Sequence, residues 1–210
     1  MTWLFALPLS YLIGAIPTSF WVGRAFHGVD LRHEGSGNLG ATNTFRVLGW
    51  KAALPVVLFD VFKGFAPVAF ATAVVDQAGV PAVLRANDLL GLSVLCGLLA
   101  VIGHVFSVFV GFRGGKGVAT SAGLFLALAP AAVGLGLLVF IAVVRSTRIV
   151  SLGSIASAGL LPLLIWLTPH RGGSALVMFS VALATFVVWA HRANIARLVR
   201  GEENRFGRGS

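Results

Sequence analysis

The chain has 210 residues, 57% of them hydrophobic and 11% charged, with a net charge of +9. Soluble domains carry roughly 25% charged residues, so these few, clustered charges cannot cover a soluble surface of this size. The basic excess lies in short segments beside long apolar stretches, where it faces anionic headgroups and anionic small molecules, and nucleic-acid binding is not expected.

Stretches of about 18 or more apolar residues read as bilayer spans. In chain order they run over 2–23, 52–75, 89–109, 118–144, 149–167 and 174–190. The start, Met1-Thr2-Trp3, lacks a basic region ahead of the first span, so that span is expected to be retained. Cys96 is the only cysteine, which excludes an intramolecular disulfide and a cysteine-based metal site. No internal repeat is visible. One domain is expected over 1–206, with a disordered tail at 207–210.

Charge sets the expected orientation. Thirteen of the sixteen Lys and Arg fall in segments 24–51, 110–117, 145–148 and 191–210. Segments 76–88 and 168–173 hold only Arg85 and Arg171. The positive-inside rule makes the four rich segments cytoplasmic. Six simple crossings cannot do this, because 110–117 and 145–148 would fall on opposite sides. Residues 118–144 therefore should go in and come back. They give about 40 Å of helix, against a core of about 30 Å, so two short helices turning near Pro130 are expected. The predicted fold class is all-α: a polytopic bundle of seven transmembrane helices, N-terminus outside and C-terminus cytoplasmic.

The first polar motif runs from Gly35 to Arg46 in the first cytoplasmic segment. Gly35, Gly37 and Gly40 let the backbone turn sharply and aim N–H groups at one point. Ser36, Asn38, Thr42 and Asn43 add neutral donors, and Arg46 adds a planar cation suited to bidentate phosphate contact. Taken alone, the segment also reads as a flexible polar loop.

The second motif, Gly111-Phe-Arg-Gly-Gly-Lys-Gly117, opens a helix. Glycines before a helix N-terminus form an anion site, since unpaired N–H groups and the dipole both favour negative charge. Lys116 supplies a point charge beside Arg113, Gly114, Gly115 and Gly117, and Thr120 follows in the first turn. The spacing is not that of a nucleotide phosphate loop, because Gly117 follows the lysine. A basic loop that sets topology is the plainer reading.

The third motif runs from His191 to Glu203. His191 and Asn194 stand at i and i+3 and are expected to share a helical face. Ile195 and Leu198 suit the interface while the arginines face headgroups. Within the second span, Asp60 and Lys63 can pair at i, i+3. An unpaired charge there costs about 2.5–3.5 kcal/mol on insertion scales, so a structural pair, or one that also orders the site, is expected. His104 reads as a buried histidine or as a cavity-lining group. The sequence has no nucleophile elbow, no metal-binding His pair and no Cys nucleophile in a motif, which leaves Ser36 as the one motif nucleophile. No metal or cofactor is expected.

The three segments together resemble the bacterial acyl-phosphate:glycerol-3-phosphate acyltransferases, the PlsY family. The family pattern reads GSGNxGATNxxR, GHxxPxFxxFKGGKGVAT and HxxNIxRLxxGxE, matched here over 35–46, 103–120 and 191–203. Leu39 stands where proline is common, Ser107 replaces the usual proline, and Arg113 replaces lysine. The resemblance implies a seven-helix enzyme of the bacterial cytoplasmic membrane. It would move a fatty acyl group from acyl phosphate to the 1-hydroxyl of glycerol 3-phosphate, giving lysophosphatidic acid and phosphate. A soluble phosphate acyltransferase would make the donor. Ser36, Arg46, Lys116, His191 and Asn194 are the expected catalytic residues. The activated donor makes an acyl-enzyme unnecessary. A transporter of an organic phosphate and a non-catalytic scaffold for anionic lipid are the rival readings.

Overall fold

In lipid every backbone polar group must be satisfied within its own segment, which favours helices. The computed structural model describes residues 3–74, 90–170 and 172–205. Arg85 with the segment expected over 76–88, Arg171 and the tail 207–210 lie outside the described residues. Every long regular element described is an α-helix: α1 Trp3–Ala15, α2 Thr18–His27, α3 Ala41–Leu48, α4 Trp50–Val74, α5 Leu90–Val105, α6 Val118–Leu128, α7 Pro130–Thr147, α8 Val150–Leu167, α9 Gly173–Ala190 and α10 Arg192–Val199. A short 3-10 turn covers Val108–Val110. Two compact units divide the chain, Met1–Ala127 and Leu128–Ser210.

In the first unit, α5 packs against α1 and α4, while α3 lies against α4. The contacts are made by small residues. A Cβ on Gly14 would strike the backbone of Ala100, and one on Gly103 would strike the Tyr11 carbonyl. Between α4 and α6, the same holds for Gly64 against the Thr120 carbonyl and Gly123 against Val61. Close van der Waals approach of this kind holds helices together where lipid removes the hydrophobic drive. Val56, Val68, Leu92, Val101, Leu124 and Phe125 fill the core.

The single span expected over 2–23 is instead two helices, α1 and α2, bent by 44°. The break follows from Pro17, which cannot donate to the preceding turn and pushes Ile16 out of the helical region. Over 118–144 the chain breaks where expected. Ala129 leaves the helix with φ −147° and ψ 65°, and Pro130 starts α7 at the position that tolerates proline.

In the second unit, α8 packs against both α7 and α9. α7 ends on Arg148, whose φ of 61° caps the helix in the left-handed region. Leu137, Leu138, Trp166 and Met178 are apolar yet exposed. That is the surface lipid demands. Among the described residues, five helices are long and apolar enough to cross a membrane, and the bent α1–α2 pair adds a sixth candidate. α6 is a shorter apolar helix.

Candidate active site

The first motif is a folded loop built around Asn43. Its side chain is 1% exposed. Oδ1 accepts the Ser36 N–H at 2.8 Å, and Nδ2 donates to the carbonyls of Leu31 (3.2 Å) and Glu34 (3.0 Å). Both amide hydrogens are thus spent inside the loop, and Asn43, expected among the ligand donors, staples the loop. Gly35 and Gly37 have φ of 60° and 68°, so the turn that presents Ser36 needs glycine on both sides. Gly40 opens α3, and its carbonyl accepts the N–H groups of Asn43 and Thr44. Asn38 is half-buried beside it. Thr42 and Arg46, one turn apart on α3, are exposed together with Ser36. Leu31, Leu39 and Val110 form the small core beneath, with Phe20 and Val29 packed on it. At the loop entrance Arg32 pairs with Asp30 at 2.7 Å and lies 4.8 Å over the Phe20 ring. Its hydrogen bond holds the Asp30 carboxyl well below the usual carboxylate range.

The second motif turns back on the end of α5. Gly114 N–H donates to the Val105 carbonyl (2.9 Å) and Gly115 N–H to the His104 carbonyl (3.1 Å). These two amides, expected to face an anion, are therefore committed to backbone. The glycines are required for approach. A Cβ on Gly115 would collide with His104 Nε2 and lie 2.7 Å from the Leu39 carbonyl. Gly115 thereby brings the second motif against the first. Lys116 is half-buried, Arg113 is exposed, and Gly117, at φ 80°, leads into α6 as expected. Thr120 is buried in the first turn of α6, and its Oγ1 has no hydrogen-bond partner among the described residues.

Asp60 and Lys63 pair as expected, at 2.8 Å and almost fully buried. Lys63 Nζ also donates to the Ile16 carbonyl at 2.9 Å, and Thr18 Oγ1 donates to Asp60 Oδ1 at 3.3 Å. The cation therefore meets the C-terminal end of α1 and the carboxylate the N-terminal end of α2, each matching the local dipole. Ser107 completes the repair by donating its hydroxyl to the Ala15 carbonyl. His104, 6% exposed, sets Nδ1 3.7 Å from Asp60 Oδ1.

The third motif belongs to the second unit. His191 and Asn194 are not on one continuous helix. His191, at φ −93° and ψ 7°, ends α9 and precedes α10. Both are buried. His191 Nδ1 lies 2.8 Å from the Val187 carbonyl, which can only accept, so Nδ1 is the donor. Asn194 Nδ2 donates to Glu203 Oε1 at 2.6 Å, Ser151 Oγ donates to the same oxygen at 2.8 Å, and Arg197 Nε donates to Oε2 at 2.7 Å. Burial works against the Glu203 charge, but these three donors outweigh it and hold the carboxyl below its ordinary value.

The family described as glycerol-3-phosphate acyltransferase matches residues 4–201. The chain belongs to this family. A glycerol-3-phosphate acyltransferase of Fusobacterium nucleatum is 47% identical over 198 residues, covering 94% of this chain and 95% of the relative. One of Chlorobaculum parvum is 41% identical over the full length of both chains. Two crystal structures of PlsY, an integral membrane glycerol 3-phosphate acyltransferase, in its glycerol 3-phosphate and lysophosphatidic acid forms, match with a TM-score of 0.82. They are 35% and 34% identical and cover 99% of this chain and 96% of theirs. The chain is thus a multi-pass membrane acyltransferase, and the transporter and lipid-scaffold readings are set aside. Within this glycerol-3-phosphate acyltransferase fold, sequence reasoning missed Ser107, Ser151 and the role of Glu203. Glu203 carried a signal as the last residue of the third motif, and Ser107 as a departure from the family's proline; Ser151 carried none.

Proposed function

We propose that this chain transfers a fatty acyl group from acyl phosphate to the 1-hydroxyl of sn-glycerol 3-phosphate, releasing lysophosphatidic acid and inorganic phosphate. The observation that carries the reading is the meeting of the first two motifs at Gly115 and Leu39. Exposed Ser36, Thr42 and Arg46 on one segment, with Lys116 on the other, give the two cationic, donor-rich surfaces that two phosphorylated substrates need.

The hydroxyl oxygen attacks the acyl carbonyl carbon, an ester C–O bond forms, and the bond to the phosphate oxygen breaks. The hydroxyl proton passes to a substrate phosphate oxygen, with His191 as the other candidate acceptor. The donor is already activated, so transfer is direct. Rate comes from holding the two substrates in line and from donors aimed at the developing oxyanion. Arg46 and Lys116 hold phosphate, with Gly35, Gly37, Asn38, Gly40, Arg113 and Gly117 shaping the two loops. His191 and Asn194 position substrate, a role that rests on the likeness of the third motif to the family pattern. The acyl chain extends into surrounding lipid.

The enzyme sits in the bacterial cytoplasmic membrane with seven spans, α6 completing the count, and its C-terminus is cytoplasmic. A soluble phosphate acyltransferase supplies the donor. Protein purified in detergent should release phosphate stoichiometric with lysophosphatidic acid when given acyl phosphate and glycerol 3-phosphate, and acyl-CoA should give no product. Equal rates with both donors would overturn the donor assignment.

A further inference from the structure

His104 stands between a buried ion pair that the reaction does not itself explain and the second motif. On one side is the buried Asp60–Lys63 pair, whose Asp60 Oδ1 lies 3.7 Å from His104 Nδ1. On the other is the second motif, whose Gly115 leaves no room for a Cβ against His104 Nε2. The His104 backbone carbonyl also accepts the Gly115 N–H. The ring is buried, and Nδ1 has no hydrogen-bond partner among the described residues. A buried polar atom with no hydrogen bond is costly. It is tolerated here beside a carboxylate that is itself pinned by Lys63 and Thr18.

We propose that His104 is a positioning residue that ties the Gly114–Gly117 turn to the buried Asp60–Lys63 pair, and so sets Lys116 for phosphate. The inference rests on the reading of the second motif as a phosphate site. The mechanical chain is short. Lys63 and Asp60 lock the break between α1 and α2. Asp60 faces one ring nitrogen of His104, and the other ring nitrogen backs Gly115. The next residue is Lys116. Misplacing that lysine weakens binding of a phosphate in ground state and transition state alike, which raises KM more than it lowers kcat.

Two variants separate this role from simple core packing. His104→Asn places an amide close to where Nδ1 stood, whereas His104→Phe keeps a ring and loses both nitrogens. In detergent, His104→Phe should raise KM roughly tenfold or more for at least one of the two phosphate substrates, with kcat within about threefold. His104→Asn, which returns a polar atom toward Asp60 but not the ring edge at Gly115, should recover part of the KM. Amide hydrogen exchange over residues 111–117 supplies a readout that needs no activity. Exchange at Gly114 and Gly115 should be slow in wild type, markedly faster in His104→Phe and intermediate in His104→Asn. Unchanged KM and exchange in His104→Phe would overturn the proposal, as would equal damage from both variants. If wild type makes no lysophosphatidic acid, the functional reading fails, while the exchange data still judge the positioning role.

Discussion

Lys63 donates its ammonium to the Ile16 carbonyl, 2.9 Å away, at the point where the first membrane helix breaks. The same nitrogen lies 2.8 Å from Asp60. A broken helix inside lipid leaves carbonyls without partners, and a cation on a neighbouring helix is one way to satisfy them. Removing one partner of a buried pair leaves the other charge uncompensated, at a typical cost of about 3–5 kcal/mol. Lys63→Met should therefore lower Tm sharply in detergent, and adding Asp60→Asn should recover part of the loss. A double variant no more stable than Lys63→Met would show that the pair adds nothing as a pair.

Asn43 and Thr42 are neighbours in the first motif with opposite expected behaviour. Asn43 holds three hydrogen bonds inside the loop. Its replacement by Ala strands buried groups at about 1–3 kcal/mol each. Asn43→Ala should lose both stability and activity. Thr42 is exposed beside Arg46, so Thr42→Ala should reduce turnover while Tm stays within a degree or so of wild type, as surface substitutions usually do. Parallel Tm and rate measurements check both.

The contrast shows where sequence reasoning runs out. Charge placement and Pro130 located the break in 118–144, because basic segments and a helix-breaking residue are local signals. The break at Ile16 carries the same kind of local signal, Pro17 followed by Thr18 and Ser19, but the apolar residues on both sides make 2–23 long enough to read as one span. Residue type alone could not decide that Asn43 faces inward, because loop stapling and ligand donation call for the same amide. Ser107 and Ser151 act through partners about 90 and 50 residues away, at Ala15 and Glu203. No spacing rule reaches that far. Gly114 and Gly115 read in the sequence as anion donors, whereas in the fold they permit backbone contact with α5 and their amides are already used.

Glu203 gives a pH dependence with a definite sign. Its folded-state value lies below the ordinary one, so the unfolded chain binds its proton first as pH falls. The stabilisation is complete above the unfolded value of about 4.3. It is lost as pH drops through the lower folded value. Glu203→Gln keeps the shape and removes the titration. Between pH 6 and acid, wild type should lose more Tm than Glu203→Gln does. Identical slopes would show that the Ser151, Asn194 and Arg197 contacts do not favour the charged form.

Orientation can be tested by cysteine labelling in intact cells. Arg145 and Arg148 flank the tip of the α7–α8 hairpin, and their charge predicts the cytoplasmic side for them, with Arg113 and His191. Cysteine substituted at each of these positions should escape a membrane-impermeant reagent added outside. The native Cys96 is buried and gives no background. Strong external labelling at position 145 would contradict a return of residues 118–144 to the cytoplasmic side.

Ser36 decides between direct transfer and a covalent intermediate. Its N–H is held by Asn43, and its side chain is exposed at the loop tip between two glycines of positive φ. Among the described contacts within the first unit, no histidine or carboxylate is hydrogen-bonded to its hydroxyl, so the base that would activate a serine nucleophile is absent there. An acyl phosphate needs no such activation. Ser36→Ala should still be slow, because losing one donor to a developing oxyanion costs about 10²–10³ in rate. Impairment alone therefore settles nothing, and the adduct does. Wild type incubated with acyl phosphate and no acceptor should keep its unmodified intact mass. Arg46→Lys should also fail, since a point charge cannot reproduce a planar two-pronged contact with phosphate. An acyl group found on Ser36 and passed on to glycerol 3-phosphate at the turnover rate would replace direct transfer with a two-step path.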